Sequence, residues 1–330
     1  MANILILGAG SMGTAFSFPC SDNKHSISII GTHLENDFIA EINLNKKHPA
    51  LNLDIPKNVK FFKFENLSVE MKKKIDLIVV AVSSKGIEWA SNELSKVLKS
   101  NTPILILTKG LAINNNHYEI LAHKVDRILK KKGIKDVNIS AAGGPCLARE
   151  LANRNHTSVV FANSDISVAN QIKKLVSTDY YHIFTSTDVI GVEICAAIKN
   201  IFAMVMGSSK GLNTSAALLQ QSINEMIMFT EKLKGKKETV MGLAGVGDLY
   251  VSVKGGRNSQ MGEYLGQGMK FNEAKKTKMD NVTVEGADLA LEIGKKVKND
   301  FDIKTLPLMI SMIDTISEEK PLKIDWKNFK

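Results

Sequence analysis

Apolar residues in the first half of this chain come in short unbroken runs, separated by turn residues and amphipathic stretches. Leu77-Ile78-Val79-Val80-Ala81-Val82 is apolar at every position, which suits a strand covered on both faces, as in a parallel sheet. The same reading places strands at 3–7, 26–30, 76–82, 104–108, 138–142 and 158–162. Helical patterns lie between them, at 86–98 and 116–132 among others. Alternation of strand and helix predicts a doubly wound α/β domain with a mostly parallel sheet. After Gly191 the texture changes to helical periodicity at 192–206, 215–233, 260–265, 284–297 and 306–317, with no convincing strand. A boundary is expected near 185–191, dividing the chain into 1–187 and an all-α domain at 188–330.

The length, 330 residues, fits two domains, and 44% hydrophobic with 23% charged residues is ordinary for a protein with a real core. The stretch 192–206 is interrupted by Glu193, Lys199 and Asn200, so it reads as too short and too polar for a membrane span of about 20 residues. The N-terminus lacks the basic start and cleavage pattern of a signal peptide. Cys20, Cys146 and Cys195 have no metal-ligand spacing, so no metal is expected, and three cysteines offer no disulfide framework and suit a reducing cytoplasm. A formal charge of +9 raises the question of nucleic acid, but the lysines are dispersed and no nucleic-acid motif accompanies them. They read as a solvated surface. Only Arg127, Arg149, Arg154 and Arg257 are arginines, so each is more informative than usual.

Gly8-Ala9-Gly10-Ser11-Met12-Gly13 follows directly on the strand 3–7. The first glycine permits a tight turn, the second lets backbone approach a pyrophosphate, and the third lets helix pack on strand. The following helix N-terminus offers N–H groups and the positive end of a dipole. In a βαβ context this is a Rossmann-like dinucleotide site, which makes 1–187 the dinucleotide-binding domain. Pro19 falls inside that helix and is expected to kink or shorten it, ending it toward Cys20-Ser21-Asp22-Asn23. The second strand ends in Thr32 and His33, with Glu35 slightly beyond. No acid stands at the strand end itself, which leans the cofactor toward NADPH over NADH.

Lys199 lies on an apolar helical stretch. It either snorkels to water or is held in a partly dry site as a proton donor to a developing alkoxide, with Asn200 orienting the carbonyl. Gly242-Leu243-Ala244-Gly245-Val246-Gly247-Asp248 is a second glycine-rich turn. Its acid either caps a helix or pairs with substrate hydroxyls or Lys199. Gly255-Gly256-Arg257-Asn258 looks like a phosphate grip, because guanidinium binds phosphate in fork geometry. Thr108-Lys109-Gly110 and Gly143-Gly144-Pro145-Cys146 close strands at the sheet edge where α/β proteins bind ligands, or are simple turns.

Together and in this order, these segments, with Gly144 through Glu150, Gly191 through Asn200, Gly262, Leu265 through Gly268 and Val284-Glu285-Gly286, resemble the NAD(P)-dependent glycerol-3-phosphate dehydrogenases of bacterial type. The resemblance implies reversible reduction of dihydroxyacetone phosphate to sn-glycerol 3-phosphate by NAD(P)H, for phospholipid synthesis in the cytoplasm, with a helical substrate domain. It implies Lys199 as catalytic acid/base, supported by Asp248. Lys109, Gly144, Cys146, Gly256, Arg257 and Asn258 become substrate contacts with those two. Ser11, Met12, Thr32, Lys109, Ala148, Arg257, Thr283 and Glu285 become cofactor contacts, beside the glycine turn and His33. Cys146 stands where the family has serine or threonine, Gly256 where it has serine, Ser83 where it has proline and Gln221 where it has arginine. The partner expected is a small phosphorylated ketone or alcohol, without nucleic acid or stable membrane insertion, and with a homodimer compatible. Two rivals stay open: a dehydrogenase of a 3-hydroxy acid or sugar acid, and a non-catalytic dinucleotide-binding redox sensor.

Overall fold

The computed structural model describes residues 1–98 and 101–329, which form two compact units. The first comprises residues 1–109 and 121–189, and the second comprises 110–120 and the chain from 190 onward. The division differs from a single cut at residue 187 in two respects: residues 110–120 belong with the second unit, and the main boundary falls after residue 189.

The strands are β1 (Asn3–Leu7), β2 (Ser26–Ile30), β3 (Lys47–His48), β4 (Leu53–Asp54), β5 (Val59–Phe62), β6 (Leu77–Val80), β7 (Ile104–Ile106), β8 (Leu111–Asn114), β9 (His117–Ile120), β10 (Ile139–Gly143), β11 (Thr157–Ala162) and β12 (Tyr181–Ser186). Eight build the main sheet of the first unit in the order β12-β11-β10-β7-β6-β1-β2-β5. Every neighbouring pair is parallel except β10 with β11. The order runs outward from β1 in two directions, to β2 on one side and β6 on the other, so the loop after β1 lies at a topological switch point.

The inner strands are buried along their length: Ile4 to Leu7 and Leu77 to Val80 are each at most 1% exposed. Continuous apolar runs give this burial, since both faces are covered. Phe16 of the helix Ser11–Asp22 meets Phe161 of β11 and sits edge-on to Tyr181 of β12, with ring centroids 6.5 and 6.3 Å away. That helix ends at Asp22, within the stretch expected for its end. The proline falls in its last turn, where only one internal hydrogen bond is lost, and its own carbonyl still accepts from Asn23.

The second unit is helical with one added hairpin. Its central helix, Val189–Gly207, is buried at every position from Gly191 to Met206. It is longer than the pattern foretold. Among the described residues it is the one helix long and apolar enough to cross a membrane, yet 83% of the qualifying window is buried within the protein, as for a core helix. Gly262 and Gly286 let two other helices approach it closely: a Cβ at either position would fall within 2.5 Å of the carbonyl oxygen of Met204 or Asn200. Glu225 is wholly buried in Leu212–Lys232. Its carboxylate accepts from the backbone N–H groups of Leu308 and Met309, both at 2.8 Å, and so caps the helix Pro307–Ser317.

The hairpin β8–β9 replaces the start of the helix expected over 116–132, which begins at Leu121. Asn115 and Asn116 both adopt left-handed backbone (φ 47° and 60°), the requirement of a two-residue turn that asparagine tolerates well. Tyr118 packs edge-on against Phe229, which stacks on Phe301, and Lys296 lies over the Tyr118 ring.

Candidate active site

In the first unit the glycine turn has the shape its sequence implies. Gly8 adopts φ +111°, and a Cβ there would meet the Ala81 carbonyl oxygen at 2.7 Å. A Cβ on Gly13 would lie 2.3 Å from the Gly8 oxygen. At Gly10 a Cβ would meet nothing within 4 Å. The first and third glycines therefore serve internal packing, whereas the second faces open space that another molecule's atoms can enter. Gly10 caps the helix Ser11–Asp22 without any side-chain hydrogen bond, so the first N–H groups are left for an anion. These residues fit a dinucleotide pyrophosphate.

Two residues brace this turn, one not singled out in the sequence and one placed there slightly beyond the strand end. His48, 1% exposed, accepts from Leu51 N through Nδ1, so its Nε2 carries the proton and donates to the Ala9 carbonyl at 3.2 Å. Burial holds its pKa below the ordinary histidine value, which keeps it neutral. A lone histidine between two-residue strands carries no pattern from which this could be read. Glu35 is the second: its Oε2 accepts from Thr32 N at 2.6 Å and Ala9 N at 3.3 Å. The acid at Glu35 thus returns to the strand end where Thr32 and exposed His33 stand.

Elsewhere in the same unit Lys109 donates to the Gly144 carbonyl at 3.3 Å, joining the loops that follow β7 and β10. Gly144 has φ +111°, Cys146 is half-buried, and Ala148 begins the short helix Ala148–Ala152.

In the second unit Lys199 and Asp248 are 6% and 2% exposed, and Nζ stands 2.5 Å from Oδ1. Lys199 does not snorkel to water. It also donates to Ser252 Oγ at 2.6 Å, and that hydroxyl donates to the Asp248 carbonyl. Ser252 follows Asp248 by one helical turn, a spacing that could have drawn notice. The loop expected at Gly242–Gly247 is instead one wide helical turn, Leu243–Gly247, in which Gly247 N bonds Gly242 O at 3.2 Å. This π-type turn leads straight into Asp248–Val253 and aims Asp248 inward.

Asn200, next to Lys199, accepts from Asn258 Nδ2 at 3.0 Å, and Asn258 Oδ1 accepts from Gly286 N at 2.8 Å. Arg257 pairs with Glu285. These two side chains are 57% and 41% exposed, so the pair contributes no more than about 1 kcal/mol. A single string of contacts therefore joins Asp248, Ser252, Lys199, Asn200, Asn258 and the Gly286–Glu285–Arg257 corner. Gly256 precedes Arg257 as the cap of the helix Arg257–Gly266, again without a side-chain bond. Thr283 is exposed just before Glu285.

The buried ammonium–carboxylate pair, the asparagine relay and the exposed guanidinium offer a proton donor, a carbonyl-orienting amide and an anion grip. Comparison with known proteins identifies the family. Residues 3–169 match the N-terminal and 188–325 the C-terminal family model of NAD-dependent glycerol-3-phosphate dehydrogenase. A relative from Francisella philomiragia, named glycerol-3-phosphate dehydrogenase [NAD(P)+], is 32% identical, covering 96% of this chain and 93% of its own. One from Archaeoglobus fulgidus, named NADP(+)-dependent glycerol-3-phosphate dehydrogenase, is 32% identical over 82% of each chain. The crystal structure of glycerol-3-phosphate dehydrogenase from Coxiella burnetii superposes with a TM-score of 0.84 at 25% identity, covering 97% and 96%. The chain belongs to the NAD(P)-dependent glycerol-3-phosphate dehydrogenase family.

Proposed function

We propose that this protein reduces dihydroxyacetone phosphate reversibly to sn-glycerol 3-phosphate, with the first unit as dinucleotide-binding domain and the second as substrate and catalytic domain. The observation that carries the reading is the dry Lys199–Asp248 pair in a chain of this family. The residues cited for the cofactor are Gly8, Gly10, Ser11, Met12, Gly13, Thr32, His33, Lys109, Ala148, Arg257, Thr283 and Glu285. Reduced nicotinamide, when bound, supplies the hydride to the ketone carbon. The oxygen then needs a proton, and the Lys199 ammonium provides it, while Asp248 and Ser252 fix its position. In the reverse direction the neutral amine takes that proton back from the alcohol. Asn200 and Asn258 hold polar groups beside Lys199, and Arg257, Asn258 and the Gly256 N–H grip the phosphate away from the reacting carbon. Such remote binding energy orients the ketone. Lys109, Gly144 and Cys146 complete the substrate contacts, with the Cys146 thiol a weaker donor than a hydroxyl.

The setting we propose is cytoplasmic, supplying glycerophospholipid synthesis. The test is oxidation of NADH or NADPH in the presence of dihydroxyacetone phosphate. Turnover that disappears in Lys199→Met, with dinucleotide binding retained, is expected. A folded, cofactor-binding wild type without turnover would refute the proposal, and turnover of a 3-hydroxy or sugar acid instead would favour the rival dehydrogenase.

A further inference from the structure

On the reading that the first unit binds a nicotinamide dinucleotide, we infer that Glu35 makes this chain select NADH over NADPH. The two dinucleotides differ in one group, a ribose 2′-hydroxyl against a 2′-phosphate. In this class of fold the group lies at the end of the second strand, beside the glycine turn, where an acid favours the hydroxyl. Here the strand-end residues are Thr32 and His33, and on sequence spacing Glu35 lies too far along. The backbone removes that distance. A turn closed by Glu35 N donating to Thr32 O at 3.0 Å sends the side chain back. Its Oε2 then accepts from Thr32 N and from Ala9 N of the glycine turn. One carboxylate oxygen thus spans the gap between the end of β2 and the turn after β1. The other, Oε1, makes no hydrogen bond among the described residues and is available to a ribose hydroxyl.

The surroundings favour the same choice. His33, Trp89 and Phe64 form an aromatic row, with centroids 5.0 Å (His33 to Trp89) and 5.1 Å (Phe64 to Trp89) apart. That row offers stacking surface to an adenine but no fixed cation. None of the four arginines falls between Gly31 and Trp89, so these elements lack the forked guanidinium that matches a phosphate. The exposed lysines nearest the aromatic row in sequence, Lys63 and Lys85, are point charges on flexible stems. A 2′-phosphate would meet the Glu35 carboxylate at close range, and like charges there are repulsive even at surface dielectric. The lean toward NADPH drawn from Thr32 and His33 is thereby reversed.

The experiment is a binding titration without substrate, so that it does not depend on turnover. The only tryptophans are Trp89 and Trp326. In a Trp326→Phe background, quenching of Trp89 fluorescence reports each dinucleotide. NADH should bind at least roughly tenfold more tightly than NADPH, the scale of one close like-charge contact. Glu35→Gln, which keeps an acceptor for Thr32 N and Ala9 N, should shrink that ratio mainly by tightening NADPH. Wild-type protein that binds NADPH as well as or better than NADH overturns the inference, as does an unchanged ratio in the folded glutamine variant. If that variant does not fold, the wild-type ratio alone decides. Binding of neither dinucleotide by folded protein would sink the dinucleotide reading itself, a distinct outcome.

Discussion

Replacing Asp248 by alanine would strand the Lys199 ammonium in a site where it is 6% exposed. Ser252 Oγ would remain as an acceptor, but a hydroxyl carries no compensating charge. Breaking a buried pair by removing one partner typically costs about 3–5 kcal/mol. At about 2–4 °C per kcal/mol for a unit of this size, the transition reporting the second unit should fall by roughly 10 °C. Lys199→Met alone should cost a similar amount, because it strands the carboxylate. The double variant Lys199→Met with Asp248→Ala should recover much of the loss, since removing the whole buried pair leaves no stranded charge. The coupling energy should then be at least about 2 kcal/mol. Urea denaturation and calorimetry of the four proteins measure it, alongside turnover, which should fall by at least about a hundredfold in every variant. A double variant that is stable yet inactive separates the pair's catalytic role from its structural one. A fall of less than about 2 °C in Asp248→Ala would refute the argument, because it would mean that water reaches the ammonium.

Burial pushes the Glu225 carboxyl up to about 7 from 4.5, against the opposing pull of three N–H donors, Leu308, Met309 and Gln221. A folded pKa above the unfolded one means that this group's contribution is full below about pH 4.5 and lost as pH rises through about 7, by about 3 kcal/mol. Glu225→Gln should flatten stability between pH 5.5 and 8 relative to wild type, measured by denaturant midpoints; parallel curves would count against it. Gly10→Ala should leave thermal stability near wild type while weakening dinucleotide binding, whereas Gly13→Ala should destabilise the first unit, since its Cβ would sit 2.3 Å from the Gly8 oxygen. Asn258→Ala should orphan the buried Gly286 N–H at about 1–3 kcal/mol and raise KM for the ketone phosphate. Asn258→Asp keeps an acceptor for that N–H but loses the donor to Asn200, and should recover the stability only in part.

The inner strands were legible because burial on both faces forces continuous apolar runs, and β1 and β2 fall at the residues expected. The outer strands β5 and β12 were not. Val59-Lys60-Phe61-Phe62 and Tyr181-His182-Ile183-Phe184 alternate buried and more exposed positions, as strands at sheet edges do, and short alternation resembles loop. The glycine turn, Lys199, Asp248, Arg257 and Asn258 could be found because each is an unusual residue in a patterned context. Glu35, His48 and Ser252 act through backbone turns or one helical step, and those contacts exist only once the chain is folded. Of the three, only Ser252, one helical turn from Asp248, has a spacing that could have pointed to it. The Asn115-Asn116 turn was different: its left-handed preference was written in the sequence and was outweighed by the helical periodicity that follows it.

The hairpin β8–β9 decides how this protein can be taken apart. A fragment beginning at residue 190 would lack Tyr118, leaving Lys296 without its ring, Phe229 with Phe301 alone, and an apolar patch open to aggregation. Expressing the helical portion alone therefore calls for grafting residues 110–120 onto it. The complementary excision is simpler. Leu111 pairs directly with Ile120, so the severed ends lie a strand spacing apart, and a glycine-rich bridge of a few residues can rejoin Lys109 to Leu121.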